Sequence, residues 1–183
     1  MFVPMRYLRI SHPEKKVYDI ILPIIFVITG LGIYNALPVK PPLLGDNGVL
    51  KDFKDVLTLL IAFFVAALAA IATFQRPGLD EVMKGSNPPS IPVYQYSRKW
   101  WKPLTRREFL CHLFGYLSFL SLILFVTITI VKISSPSLKQ VVEPHSYILI
   151  KNIFIALFSG GIGHLLVTTM LALYYLTDRI HRE

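Results

Sequence analysis

His164 has the strongest claim to chemistry in this chain of 183 residues, because it sits inside an apolar run of 25 residues, 152–176. A titratable group at membrane depth is a functional hypothesis by default, since charging it in hydrocarbon is costly. At four-residue spacing, Ala156, Gly160, His164, Thr168 and Ala172 share one helical stripe, small and polar among Leu, Ile, Phe and Val. Such a stripe is expected to face protein or water rather than lipid. Two kinds of role fit it. His164 is either a neutral ring hydrogen-bonded across a helix interface, or it serves as a proton-sensitive gate or as part of a polar ring lining an oligomeric pore. Gly160, Gly161 and Gly163 cost about 1 kcal/mol each against alanine in a helix, so close packing or a bend has to compensate.

The other reactive side chains do not assemble into a catalytic set. His112 lies near one end of its own apolar run, whereas His164 lies about 18 Å deeper by helical rise, so the two are not expected to share a metal shell. Cys111 is the single cysteine and is enclosed by an apolar run, which says nothing about redox compartment. The sequence has no intramembrane carboxylate pair, no H-E-x-x-H, no G-x-S-x-G and no Walker loop. No catalytic residue, cofactor or metal ligand is therefore expected. Coupled ion transport also finds little support, because the apolar runs lack acidic residues.

The second chemical feature is the run Arg98-Lys99-Trp100-Trp101-Lys102, preceded by Tyr94 and Tyr96 and followed by Arg106 and Arg107. One reading is an interfacial anchor, with indole rings at headgroup depth and cations reaching anionic lipid. The other is a docking surface for a protein partner, since Trp and Arg are enriched where binding energy concentrates. Direct nucleic-acid binding is not expected, because a site flush with a membrane leaves a polynucleotide little room.

The elements that must position these groups are membrane helices. The chain is 54% apolar and 16% charged, with a mean hydropathy of +0.55, against about 45–50% and about 25% in soluble domains. Four runs, 20–37, 56–74, 109–131 and 152–176, carry no acidic or basic side chain and approach or exceed the roughly 20 residues needed to cross a bilayer. The expected fold is all-α: a single four-helix transmembrane domain over residues 1–183. Pro23 predicts a tilt or kink in the first run. The basic flank ahead of that run suggests a signal peptide, but 19 residues precede it and no A-x-A-like site follows Leu37. It reads as an uncleaved anchor.

Lys and Arg number 13 in the N-terminal arm, the loop 75–107 and the C-terminal tail, against 6 in the two other loops. Both termini and the loop 75–107 are accordingly expected on the cytoplasmic side. Neither of the other loops is large enough to bury a core of its own. Ser11 with Glu14, and Thr105 with Glu108, have the spacing of capping boxes; 49–55 reads as an extra helical turn leading into the second run. The loop 75–107 has five prolines and two glycines over 33 residues, so most of it cannot be helical, and a short strand fits around 91–96. Ala62, Ala66 and Ala70 form a small-residue groove on the second run, suited to packing within the chain or between copies in a homo-oligomer.

Two stretches, LAAIATFQRPGLDEVMKG at 68–85 and LTRREFLCHLFGYLSFLS at 104–121, resemble small four-helix membrane proteins of bacterial defence islands, in particular the KwaA-like membrane subunits of the Kiwa anti-phage system. The resemblance covers roughly a third of the chain. It implies a homo-oligomeric inner-membrane sensor of phage infection that holds a DNA-binding, KwaB-like effector at its cytoplasmic face, with any catalysis and DNA contact left to that partner. The residues alone lead to a compatible expectation, a non-enzymatic membrane subunit that senses or anchors and recruits a cytoplasmic effector. The alternative is a holin-like or channel-forming effector that depolarises the membrane.

Overall fold

The computed structural model describes residues 3–76, 78–83, 87–95 and 98–179. Four helices in it are long and apolar enough to cross a membrane, at Val17–Ala36, Val49–Thr73, Arg106–Val141 and Pro144–Thr177. We label their α-helical parts α1 (Leu22–Ala36), α2 (Val49–Thr73), α3 (Arg106–Val141) and α4 (Pro144–Tyr174). A 3-10 helix, Val3–Arg9, precedes them, and the loop between α2 and α3 contributes two strands, β1 (Ser90–Gln95) and β2 (Arg98–Pro103). The fold is mostly helical, with this hairpin added to the expected helices.

The helices are longer than their apolar runs. α3 spans 36 residues, about 54 Å at 1.5 Å per residue, and continues through Pro136. The expected third loop thereby shrinks to Val142 and Glu143, after which Pro144 opens α4 at a position where a missing N–H costs nothing. α2 starts at Val49, as its sequence suggested, and absorbs the end of the first loop. Thr105 and Glu108 form the full capping box at the start of α3. Ser11 and Glu14 do not form one: Ser11 instead pairs its backbone with Ser90, its N–H donating to the Ser90 carbonyl at 2.9 Å. Sheet pairing took the residue that the capping pattern claimed. A π-turn over Val17–Ile21, in which the Leu22 N–H donates to the Val17 carbonyl, lies directly ahead of Pro23. Pro23 has no N–H for the regular ladder, and the wider turn accommodates the gap.

α3 is the central helix. Leu110, Phe114, Leu117, Ser121, Leu124, Ile128 and Ser135 are buried along it at alternating spacings of four and three, the seam of left-handed helix packing, with partly buried Val131 completing the series. α2 answers with Leu50, Leu57, Phe64 and Ile71, one residue every seven, and Phe64 meets Phe114 with ring centroids 6.2 Å apart. α4 packs on α3 and on α1, whereas α1 and α2 do not pack on each other. The neighbour order α2–α3–α4–α1 is thus an open row. Between α1 and α4 the glycines supply the room. A Cβ on Gly160 would meet the Val27 side chain at 2.9 Å, and one on Gly163 would run into the Phe26 side chain.

Both described chain ends and the hairpin lie at one end of the row, here called the hairpin end. Tyr7 and Ile10 of the N-terminal segment, Leu79, Met83, Ile91 and Leu104 of the loop, and Phe109 of α3 are buried there in one cluster. The hairpin is therefore mounted on the helices.

Candidate functional site

The hairpin pairs antiparallel, with Tyr94 opposite Lys99, Val93 opposite Trp100, Pro92 opposite Trp101 and Gln95 opposite Arg98. Successive strand side chains point to opposite faces, so Trp100 and Trp101 cannot lie on one surface. Trp100 shares its face with Val93 and buried Ile91; Trp101 shares the other with Lys99. Both indoles are about half exposed, at 48% and 49%, and Lys99 Nζ sits 5.0 Å from the Trp101 ring centroid. Lys102 Nζ donates to Glu108 Oε1 at 2.6 Å, tying β2 to the first turn of α3. Tyr96 lies outside the described residues, and Tyr94 and Arg98 enter through their backbone register.

Backbone hydrogen bonds weld this hairpin in place. The Met83 N–H donates to the Leu104 carbonyl at 3.1 Å, the Leu104 N–H to Pro89 at 2.9 Å, and the Arg106 N–H to Glu81 at 3.1 Å. Arg107 is the strongest clamp. Its Nε and Nη2 bind the two oxygens of Asp80 at 2.7 and 3.0 Å, while Nη1 donates to the Ile71 and Phe74 carbonyls at 2.8 and 2.9 Å. Those carbonyls belong to the end of α2, where the last helical turn leaves acceptors unserved. The hydrogen bonds from Arg107 hold the Asp80 carboxyl below its usual range. Gly78, at φ +86°, provides the left-handed residue that turns the chain beside this clamp.

Beneath the hairpin end lies a polar cluster that no spacing pattern had singled out. Asp19, in the π-turn, pairs with Lys15 and accepts from the Tyr7 hydroxyl at 3.3 Å. The Tyr7 ring is 1% exposed and stacks on Tyr116 with centroids 5.0 Å apart; Tyr116 in turn meets His164 edge to face at 5.5 Å. Burial, with the Asp19 carboxylate adding to it, pushes the Tyr7 phenol up, so it remains a neutral donor. The one available signal was the pair Lys15–Asp19, four apart at the edge of an apolar run. A cavity of about 520 Å³ opens beside this cluster, lined in part by Tyr7, His12, Lys15, Tyr18 and Tyr174.

The span-four stripe is corrected in one respect. Among the described residues neither ring nitrogen of His164 has a hydrogen-bond partner, and the same holds for Ser121 Oγ. The cross-helix hydrogen bond expected of His164 is replaced by the ring contact with Tyr116, because a π-system rather than an acceptor faces it. Within the stripe, Thr168 and Ala172 are buried and Gly160 is covered by Val27, while Ala156 is half-buried. Ala62 and Ala66 on α2 face outward and Ala70 is half-buried, since the side of α2 that meets α3 is its leucine and phenylalanine edge. Among the described residues no group of three or more His, Cys, Asp or Glu side chains is placed to hold a metal ion. No family model, curated protein or solved structure matches this chain.

Proposed function

We propose that this chain is a non-enzymatic subunit of the bacterial inner membrane that oligomerises, senses or anchors, and recruits a soluble effector at its cytoplasmic face, in anti-phage defence. The observation that carries the reading is the mounted hairpin. A two-stranded element, fixed by Arg107 and by backbone pairing with its own loop and with the N-terminal segment, holds a half-exposed indole beside a lysine. A lipid anchor needs depth and amphipathicity and little fixed geometry, whereas a protein contact gains from a preorganised aromatic anchor. The basic excess at the hairpin end supports a cytoplasmic hairpin with both termini on the same side. The defence context rests on the resemblance of 68–85 and 104–121 to Kiwa membrane subunits, whose partner is DNA-binding.

The channel reading finds less support, because α1 covers Gly160 of the stripe that suggested a pore, and Gly163 beside it. The test is co-purification of the tagged chain from its host in mild detergent, with mass spectrometry of stoichiometric partners. A soluble partner retained by the wild type, lost by Trp101→Ala and largely kept by Trp100→Ala is expected. Recovery of the chain alone would favour the pore, and a partner indifferent to both substitutions would return the tryptophans to the lipid interface.

A further inference from the structure

At the end of the row opposite the hairpin, a second cavity of about 450 Å³ opens among the first loop, the start of α2, and α1, α3 and α4. Its lining is of two kinds. Leu43, Leu44, Leu50, Val131 and Phe154 line it with apolar surface, and Lys40, Lys139 and Lys151 bring three cations to the same lining. Among the described residues no carboxylate lines the cavity. Asp46, Asp52, Asp55 and Glu143 are found at this end of the molecule, yet among the described residues none pairs with these three lysines.

The ammonium groups rest on aromatic rings instead. Lys40 and Lys151 both sit over the ring of Tyr34, at 5.7 and 5.2 Å from its centroid, and Lys139 sits over Tyr147 at 5.9 Å. Two like charges sharing one ring repel each other, and the ring quadrupole offsets only part of that. The Tyr147 hydroxyl, 3.4 Å from Ser135 Oγ, and the Ser134 hydroxyl add polar groups to the same lining. A pocket of this volume is in the range that holds small ligands. Three cations without a counter-charge beside hydrocarbon surface fit one chemistry, an anionic head joined to an apolar chain.

We propose that this cavity binds the phosphate headgroup and upper acyl chain of an anionic phospholipid, with Lys40, Lys139 and Lys151 on the phosphate and Leu44, Leu50 and Phe154 along the chain. The membrane supplies that ligand at high local concentration, and the cavity lies at the end of helices long enough to span it. A free inorganic anion would engage the lysines and leave the apolar surface unused.

Native mass spectrometry of the detergent-solubilised full chain tests this with three probes: dioleoyl phosphatidylglycerol, dioleoyl phosphatidylcholine and inorganic phosphate. The wild type should retain one phosphatidylglycerol per chain in preference to phosphatidylcholine. Each Lys→Gln substitution should weaken retention about fivefold, and all three together about a hundredfold, at the usual contribution of a lysine beside an anionic lipid. Lys40→Arg, Lys139→Arg and Lys151→Arg combined should restore most of it, which separates loss of charge from loss of fold. Lys99→Gln with Lys102→Gln, at the far end of the molecule, should leave this lipid in place. Equal retention of the two lipids, equal retention by the triple glutamine variant, or saturation by inorganic phosphate at the phosphatidylglycerol concentration would each overturn the proposal.

Discussion

At Arg107 one guanidinium serves an exposed carboxylate and two backbone carbonyls from a different helix, and its planar fork is what allows it to do so. An ammonium can occupy only one of those directions well. Arg107→Lys is expected to lower the thermal midpoint in detergent by about 2–4 °C, the shift that a modest stability loss produces in a chain of this size; an unchanged midpoint would mean that the carbonyls at the end of α2 need no fork. The Asp80 side of the clamp has a pH signature. Its carboxyl is held below the usual range in the folded chain, so its contribution is fully present above the unfolded value of about 3.9. It is lost as pH falls through the lower folded value. The midpoint gap between wild type and Asp80→Asn should stay constant from pH 8 to 5 and close below about pH 4. His164 gives the opposite kind of expectation. With no hydrogen bond from either nitrogen to another described residue, His164→Leu should change stability by less than about 1 kcal/mol, read by unfolding in mixed detergent micelles. A loss of several kcal/mol would reveal a partner for the imidazole, such as a bound water.

α1 and α4 differ in how their glycines are used, and the difference is measurable. Gly163 of α4 lies directly under the Phe26 side chain, whereas Gly32 of α1 has open space where a Cβ would stand. Gly163→Ala must push α1 away and is expected to cost about 1–3 kcal/mol, while Gly32→Ala should stabilise by up to about 1 kcal/mol through helix propensity. Equal effects would mean that α1 does not seat on α4 as described. The same contrast shows what the sequence made legible. Apolar runs free of charge marked the four helices that are long and apolar enough to cross a membrane, and Thr105 with Glu108 marked the start of α3 to the residue. The ends of α3 and α4 were not legible, since 132–141 and 144–151 are polar enough to read as loop and become helical by packing on each other around Ser135 and Tyr147. Strand β1 was visible from its β-favouring residues. Its partner β2 was hidden in a basic run that reads equally well as a lipid anchor. The Tyr7–Asp19–Tyr116 cluster escaped because it is assembled from three segments, and no local spacing records a contact between a terminal arm and the middle of a distant helix.

On the scale of the molecule, the neighbour order α2–α3–α4–α1 leaves two edges, and the faces they turn outward are not alike. α1 presents isoleucines and Gly32. α2 presents Ala62 and Ala66 among exposed Leu59, Phe63 and Val65, an arrangement in which a second helix backbone can approach closely. Its large apolar residues at seven-residue spacing are already committed to α3, so the small stripe is spare surface on that helix. A closed four-helix bundle would have used both edges internally. The open row fits the homo-oligomer proposed for this chain, with the α2 edge of one copy meeting another copy. Bulk placed in the groove should then separate the copies without disturbing the fold. Ala66→Leu is expected to reduce the assembled species at least tenfold at fixed protein concentration, about 1.4 kcal/mol, as read by mass photometry in mild detergent. Leu59→Ala on the same helix should leave both assembly and melting unchanged within error, since Leu59 points away from α3 and removes bulk rather than adding it. If Ala66→Leu assembles like the wild type, α2 faces lipid along its whole outer side and any oligomer must form through α1 or through the hairpin end. The row would then be an array held from one edge, and a partner recruited at Trp101 would have to be counted per chain rather than per ring.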